Sequence, residues 1–196
     1  NDIIQEIRAL AKSENILAKK ILPQLALQSG LQNRIREQFA ISDTLKHYWL
    51  NFGSYERWRQ VMSSFFKPRI HGVMDFLKPY EKDSPDVSNW MTTHMGQLET
   101  TLKAVGSIYA EAAARQIRQI RGLIDSADKQ WAEGETLSQR AIRAIRSTKG
   151  VSCVLVGMRR ENYVVDVLAE LTRPVAQKDR FEAWQMLSEG IRSVLS

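Results

Sequence analysis

From Met91 to Trp131 the apolar residues keep a nearly even helical beat. Met91, Met95, Leu98, Leu102, Val105, Tyr109 and Ala112 step by 4, 3, 4, 3, 4 and 3, and Ile117, Ile120, Ile124, Ala127 and Trp131 resume the rhythm. A spacing sustained this long predicts a long α-helix with a narrow apolar seam against another helix, in the same chain or in a second copy. Ser84, Pro85 and Asp86 form a suitable N-terminal signature for that helix. Gly96, Gly106 and Gly122 interrupt it, each at a cost of about 1 kcal/mol against alanine, so a kink or break is expected near one of them.

The preceding residues read as shorter helices with breaks. Ile3, Ile4, Ile7, Leu10 and Ala11 share one side of a first helix, and Pro23 must start, kink or split the next. Ser29-Gly30 is a stop signal, Asp43 is a candidate cap, and Asn51–Ser54 is a turn. Tyr55, Trp58, Val61, Met62, Phe65 and Phe66 recur at helical spacing up to Lys67-Pro68. With Arg57, Arg59, Lys67 and Arg69 they could form a base-stacking platform, but the 3–4 spacing favours a core-facing helix with arginines on its wet side. The polar, twice-proline stretch Lys78–Pro85 is the best linker, dividing a helical region 1–84 from a second region 85–196.

Composition excludes several classes. Hydrophobic content of 43% with 26% charged residues belongs to a globular protein and not to a disordered one. The longest uncharged run, Ile21–Asn33, is too short and too polar for a membrane span. With no apolar signal core, a cytoplasmic location is expected. The single cysteine, Cys153, cannot build a disulfide framework and reads as a small buried apolar residue. A net charge of +6 raises the prospect of an anionic partner. The basic residues concentrate at Arg140, Arg143, Arg146, Lys149, Arg159 and Arg160, where the i, i+3, i+6 arginines read first as a solvated helix face.

After Glu135 the texture changes. Thr136-Leu137-Ser138 opens a short helix carrying Leu137, Ala141, Ile142 and Ile145, and Gly150 ends it as a left-handed cap. Val151–Gly157 is the one convincing strand, apolar almost throughout and so suited to burial on both faces of a parallel sheet or barrel. Met158–Asn162 leads into a helix with Tyr163, Val164, Val167, Leu168 and Leu171 on its inner side. Helix, glycine, buried strand, glycine, polar loop and helix make an α/β-barrel unit. Its loop places a helix start and two arginines where a phosphate could bind.

The run LSQRAIRAIRSTKGVSCVLVGMRRENYVVDVLAEL resembles the closing unit of the aldo-keto reductases over roughly Ala132–Leu171. The resemblance implies that Gly157, Met158 and Arg159 approach the adenosine phosphate of a nicotinamide cofactor. Arg159 or Arg160 would take the 2′-phosphate that marks NADP. Tyr163 and Asp166 stand where the family often places a glutamine or arginine and a glutamate that hold the adenosine end; tyrosine departs from that pattern.

Family catalysis also implies an Asp, Tyr, Lys and His tetrad on earlier barrel strands, and no set of strands here could carry one. His47, His71 and His94 sit in helical or turn patterns, and no metal-ligand spacing, nucleophile elbow or glycine-rich phosphate loop appears. The expected fold is therefore mainly α: a helical bundle with a single short strand–helix unit resembling the last unit of a (β/α)8 barrel, without the full barrel. Asn1 in place of an initiator methionine suits a processed, trimmed or excised polypeptide. The leading expectation is the C-terminal portion of an NADP-dependent aldo-keto-reductase-like oxidoreductase, catalytically silent by itself, binding NADP only within a complete barrel and partnered by the remainder of its parent chain. The alternative is a helical protein–protein interaction module, with a homodimer through the seam as one form of it. A nucleic-acid role is set aside.

Overall fold

In the computed structural model, which describes residues 3–158 and 161–195, helix dominates as the periodicity requires. The chain forms two compact units, 1–113 and 114–196. The first contains α1 (Ile3–Ile16), a π-helical turn (Leu17–Ile21), a short α2 (Leu22–Gln24), α3 (Ser29–Gln38), α4 (Ile41–Tyr48), α5 (Tyr55–Val61), a second π-helical turn (Met62–Phe66) and α6 (Lys67–Leu77). The division falls inside α7 (Pro85–Ala127). The composition break at 84/85 lies within the first unit, because the first half of α7 supplies Val87, Trp90, Leu98, Leu102, Val105 and Tyr109 to its core.

Both π turns have the same cause. In a regular α-helix a proline lacks the N–H for its own bond, and its ring strikes the carbonyl four residues back. Here the residue just before each proline bonds five residues back: Leu22 N–H to Leu17 O ahead of Pro23, and Lys67 N–H to Met62 O ahead of Pro68. The helix widens by one residue and continues, so Lys67-Pro68 does not end it as the sequence suggested. The Ala18 carbonyl on the first turn accepts a bond from Arg36 Nη2 at 3.1 Å.

α7 runs unbroken past all three glycines. Its buried stripe is Val87, Trp90, His94, Leu98, Thr101, Val105 and Tyr109, closer to the true helical repeat than the 3.5-residue seam. The sequence seam had named Met91 and Met95 instead, and Met95 is exposed. Leu98 and Leu102 are spent inside the first unit, so that part of the seam is not an open surface. At Gly106 an added Cβ would lie 2.8 Å from Trp58 Nε1, whereas Gly96 and Gly122 face open space. Trp58 stacks on Tyr109 at 6.1 Å. The Tyr109 hydroxyl donates to Trp49 O (2.7 Å) and accepts from Phe52 N–H (3.0 Å), tying the 49–52 turn to α7. The aromatic stretch from Tyr55 thus turns Trp58 and Phe66 inward, and Arg69 covers the Phe65 ring at 3.9 Å.

In this unit Glu14 is partly buried and His94 fully buried. The Glu14 carboxylate accepts from Ser42 N–H (2.9 Å) and Ser42 Oγ (2.5 Å). It therefore caps α4 from α1, the role expected of Asp43. Burial pushes its carboxyl up to about 7. His94 lies between Trp90 and Phe39, each ring 4.6 Å away, with Nδ1 2.7 Å from Ser13 Oγ. Burial lowers its pKa from 6.5 to about 4.

The second unit holds the rest of α7, α8 (Leu137–Arg146), α9 (Glu161–Leu171) and α10 (Phe181–Leu195) around a small core of Ile124, Trp131, Ala144 and Leu187. Among the described residues the only β pairing is one parallel bridge, Thr148 with Lys178. No helix of the described chain is long and apolar enough to cross a membrane.

Gly106→Ala is expected to destabilise the first unit by about 1–3 kcal/mol through overpacking against Trp58, while Gly96→Ala stabilises by roughly 0.5–1 kcal/mol; denaturant unfolding of both variants checks the pair. The lowered His94 value means that its contribution is whole above pH 6.5 and is lost as pH falls through about 4. The stability gap between the wild type and a non-titrating His94→Asn variant should shrink by on the order of 3 kcal/mol over that interval. The raised Glu14 value acts oppositely, its contribution fading as pH rises from 4.5 through about 7, so the variant difference, and not the raw pH profile, isolates His94.

Candidate functional site

The expected site occupies one continuous stretch of the second unit. Thr136 starts α8 with a capping box: its side chain accepts from Gln139 N–H, and Gln139 Oε1 accepts from Thr136 N–H at 3.4 Å. Thr136, Leu137 and Ser138 therefore open a helix as the sequence indicated. Gly150 has φ +92°, but α8 ends at Arg146 with Ser147 as its C-cap in the right-handed region, so the glycine turns the chain three residues beyond the cap and does not itself close the helix.

The i, i+3, i+6 arginines of α8 do not form a solvated face. Arg140 pairs with Asp125. Arg143, with a side chain only 3% exposed, reaches Glu133 at 2.6 Å. Arg143 and Arg146 flank the fully buried Glu170 carboxylate at 3.5 and 3.1 Å. Arg146 also donates to the Glu170 carbonyl at 2.6 Å, fastening α8 to the end of α9. Two further cations belong to the same system. Arg173 pairs with Glu135 at 2.5 Å. Arg180 is buried against Asp128, donates to Ser147 O at 3.1 Å, and its guanidinium lies 5.7 Å from the Trp131 ring. Burial works against the Asp128 carboxylate, but the Gln130 N–H and the charges of Arg180 and Lys178 outweigh it, holding its carboxyl below the ordinary range. The basic cluster is thus largely spent inside the fold.

Beyond Gly150 the expected strand is not formed. Val151–Met158 has no regular structure, Cys153 is exposed and not buried, and Leu155 is 95% exposed. A lone strand leaves its backbone N–H and C=O groups without ladder partners, and no neighbouring strand exists among the described residues to supply them. Lys149 N–H to Lys178 O (2.9 Å) and Lys178 N–H to Ser147 O (3.1 Å) make the single bridge, and it stops before the apolar run begins. The α9 face expected to point inward is also largely bare. Val167 is buried, but Tyr163, Leu168 and Leu171 are exposed, as is Val165.

Of the residues assigned to a cofactor, Gly157 and Met158 are exposed at the end of this irregular segment. Arg159 and Arg160 lie outside the described residues. Tyr163 and Asp166 are on α9. Asp166 Oδ2 accepts from Thr136 Oγ1 (3.1 Å) and Ser138 Oγ (3.0 Å), so it joins α9 to the start of α8. No group of three or more His, Cys, Asp or Glu able to hold a metal ion occurs among the described residues. Sequence reasoning passed over the Ser13–His94 pair; its signal was the helical spacing of Ser13 to Leu10 and Leu17, and of His94 to Trp90 and Leu98. No family model, curated protein or solved structure matches this chain.

Glu170→Ala should cost the second unit about 3–5 kcal/mol, because it leaves Arg143 and Arg146 without their shared buried carboxylate. Chemical unfolding monitored by circular dichroism measures this. The Asp128 contribution, arising from a lowered pKa, should be whole above the ordinary carboxylate range and fade as pH falls through the depressed value.

Proposed function

We propose that residues 132–171 are the cofactor-end unit of an NADP-dependent, aldo-keto-reductase-like oxidoreductase, providing the adenosine-phosphate loop and none of the catalytic tetrad. The observation that carries this reading is the state of Val151–Val156. Its sequence is that of a strand buried on both faces, yet it stands without sheet partners and with Leu155 at 95% exposure. Val165, Leu168 and Leu171 leave a second apolar surface open on the helix that follows. An apolar, strand-like sequence left irregular beside a bare helix face is consistent with a barrel unit whose neighbouring strands belong to another part of the protein. The strands that would complete it come from the remainder of the parent polypeptide.

The residues fit NADP in part. An added Cβ at Gly157 would meet nothing, and Met158 is exposed, so the loop is open to a ligand. Asp166 has its Oδ2 engaged by Thr136 and Ser138, which ties it to the start of α8. The phosphate role therefore rests on Arg159 and Arg160, as the family resemblance implies. When bound, the cofactor would supply the hydride; this chain would contribute charge and position at its phosphate.

The test is the full polypeptide encoded with the reading frame upstream of Asn1. That frame is expected to contain the Asp, Tyr, Lys and His tetrad, and the whole protein to reduce carbonyl substrates with NADPH. Arg159→Ala combined with Arg160→Ala should raise KM for NADPH by roughly tenfold to a hundredfold, with little change in kcat. In residues 1–196 alone, the amides of 151–156 should exchange rapidly. An upstream frame without the tetrad, or robust NADPH consumption by residues 1–196 alone, overturns the proposal.

A further inference from the structure

The first unit carries a cleft unrelated to the reductase-like segment. It has a volume of about 810 Å³ and lies between α1, the first π turn and the start of α7, within the size range of small-molecule sites. Ile16, Ile21, Pro23 and Trp90 form apolar parts of its wall, and Lys12, Lys19 and Lys20 contribute cations. None of these lysines makes an ion pair among the described residues. They contrast with the arginines of α8, all of which are paired.

Ser13 also lines the cleft, and behind it lies the fully buried His94. The His94 ring has one partner, Ser13 Oγ at 2.7 Å, and its Nε2 is buried without any. With Nε2 unpartnered, the tautomer protonated on Nδ1 avoids a buried orphan N–H, and in that tautomer Nδ1–H donates to Ser13 Oγ. Ser13 then keeps its own O–H hydrogen free as a donor. The Ser13 carbonyl is held as well, by Trp90 Nε1 at 2.9 Å, so the residue is fixed from two sides.

We infer that this cleft binds a small carboxylate with an apolar body. Ser13 Oγ–H and the lysines take the head group, and the aliphatic wall beside Trp90 takes the body. A charge-assisted bond from a pre-positioned hydroxyl is the stronger kind of hydrogen bond. Asp86 on the cleft wall repels any anion, a dianionic phosphate about twice as strongly as a monocarboxylate at the same distance.

The probe is octanoate, titrated into the chain under amide chemical-shift mapping, with acetate (head without body) and octanol (body without head) as controls. Saturable octanoate shifts are expected within residues 12–24 and 86–97, with acetate and octanol each weaker by about tenfold or more. The exposed double variant Lys19→Ala/Lys20→Ala should weaken octanoate by about fivefold or more without loss of fold, and Ser13→Ala should weaken it similarly. The His94 ring resonances should move on binding in the wild type and not in Ser13→Ala. No saturable shift, octanol binding as tightly as octanoate, or a double-lysine variant that binds like the wild type would each overturn the inference.

Discussion

Every backbone N–H and C=O taken from water needs a partner, and the main local features of this chain follow from how that demand is met. Two prolines interrupt helices, and each helix answers with a π turn and continues. α4 receives its cap from Glu14, a carboxylate far away in sequence. α8 closes its own start with Thr136 and Gln139. Where the demand cannot be met, at Val151–Met158, regular structure stops and the backbone stays toward solvent.

The two units satisfy their other costs differently. The first has an extended apolar core in which aromatic rings pack on one another around α7. The second has a small apolar core and depends more on arginine–carboxylate pairs, several of them buried. Such pairs are geometrically demanding, and each fails badly when one partner is removed. They hold α8, α9 and the 173–180 segment together while leaving the apolar strand sequence and the outer face of α9 without cover. The second unit thus combines a pinned helical frame with an apolar segment that has no sheet partners among the described residues.

Polar residues within the first core follow a similar logic. Ser13, His94 and Thr101 occupy positions on otherwise apolar helix faces. Thr101 is satisfied by its own helix through the Gln97 carbonyl at 2.8 Å. His94 is satisfied on one nitrogen only, and its partner Ser13 reaches a cleft. A half-satisfied buried ring is costly, and the neutral state imposed by burial limits that cost at neutral pH.

Much of the local structure was legible in the sequence because it depends on neighbours in the chain. The length of α7, its start at Ser84-Pro85, the cap of α8 at Thr136 and the left-handed Gly150 all follow from periodicity and side-chain chemistry within a few residues. The burial of Trp58 and Phe66 was legible for the same reason, although Tyr55 at the start of that stretch is exposed. Other outcomes were not, because their physical causes are distant partners. The arginines at 140, 143 and 146 have the spacing of a wet face, but Asp125, Glu133 and Glu170 turn them inward. The seam of α7 shifted from Met91 and Met95 to Trp90 and His94 because Ser13 of α1 and Phe39, the C-cap of α3, meet it there. Val151–Gly157 shows the division most plainly. Its residues alone determined a preference for a strand buried on both sides; only tertiary structure could provide the flanking strands, and the described chain has none.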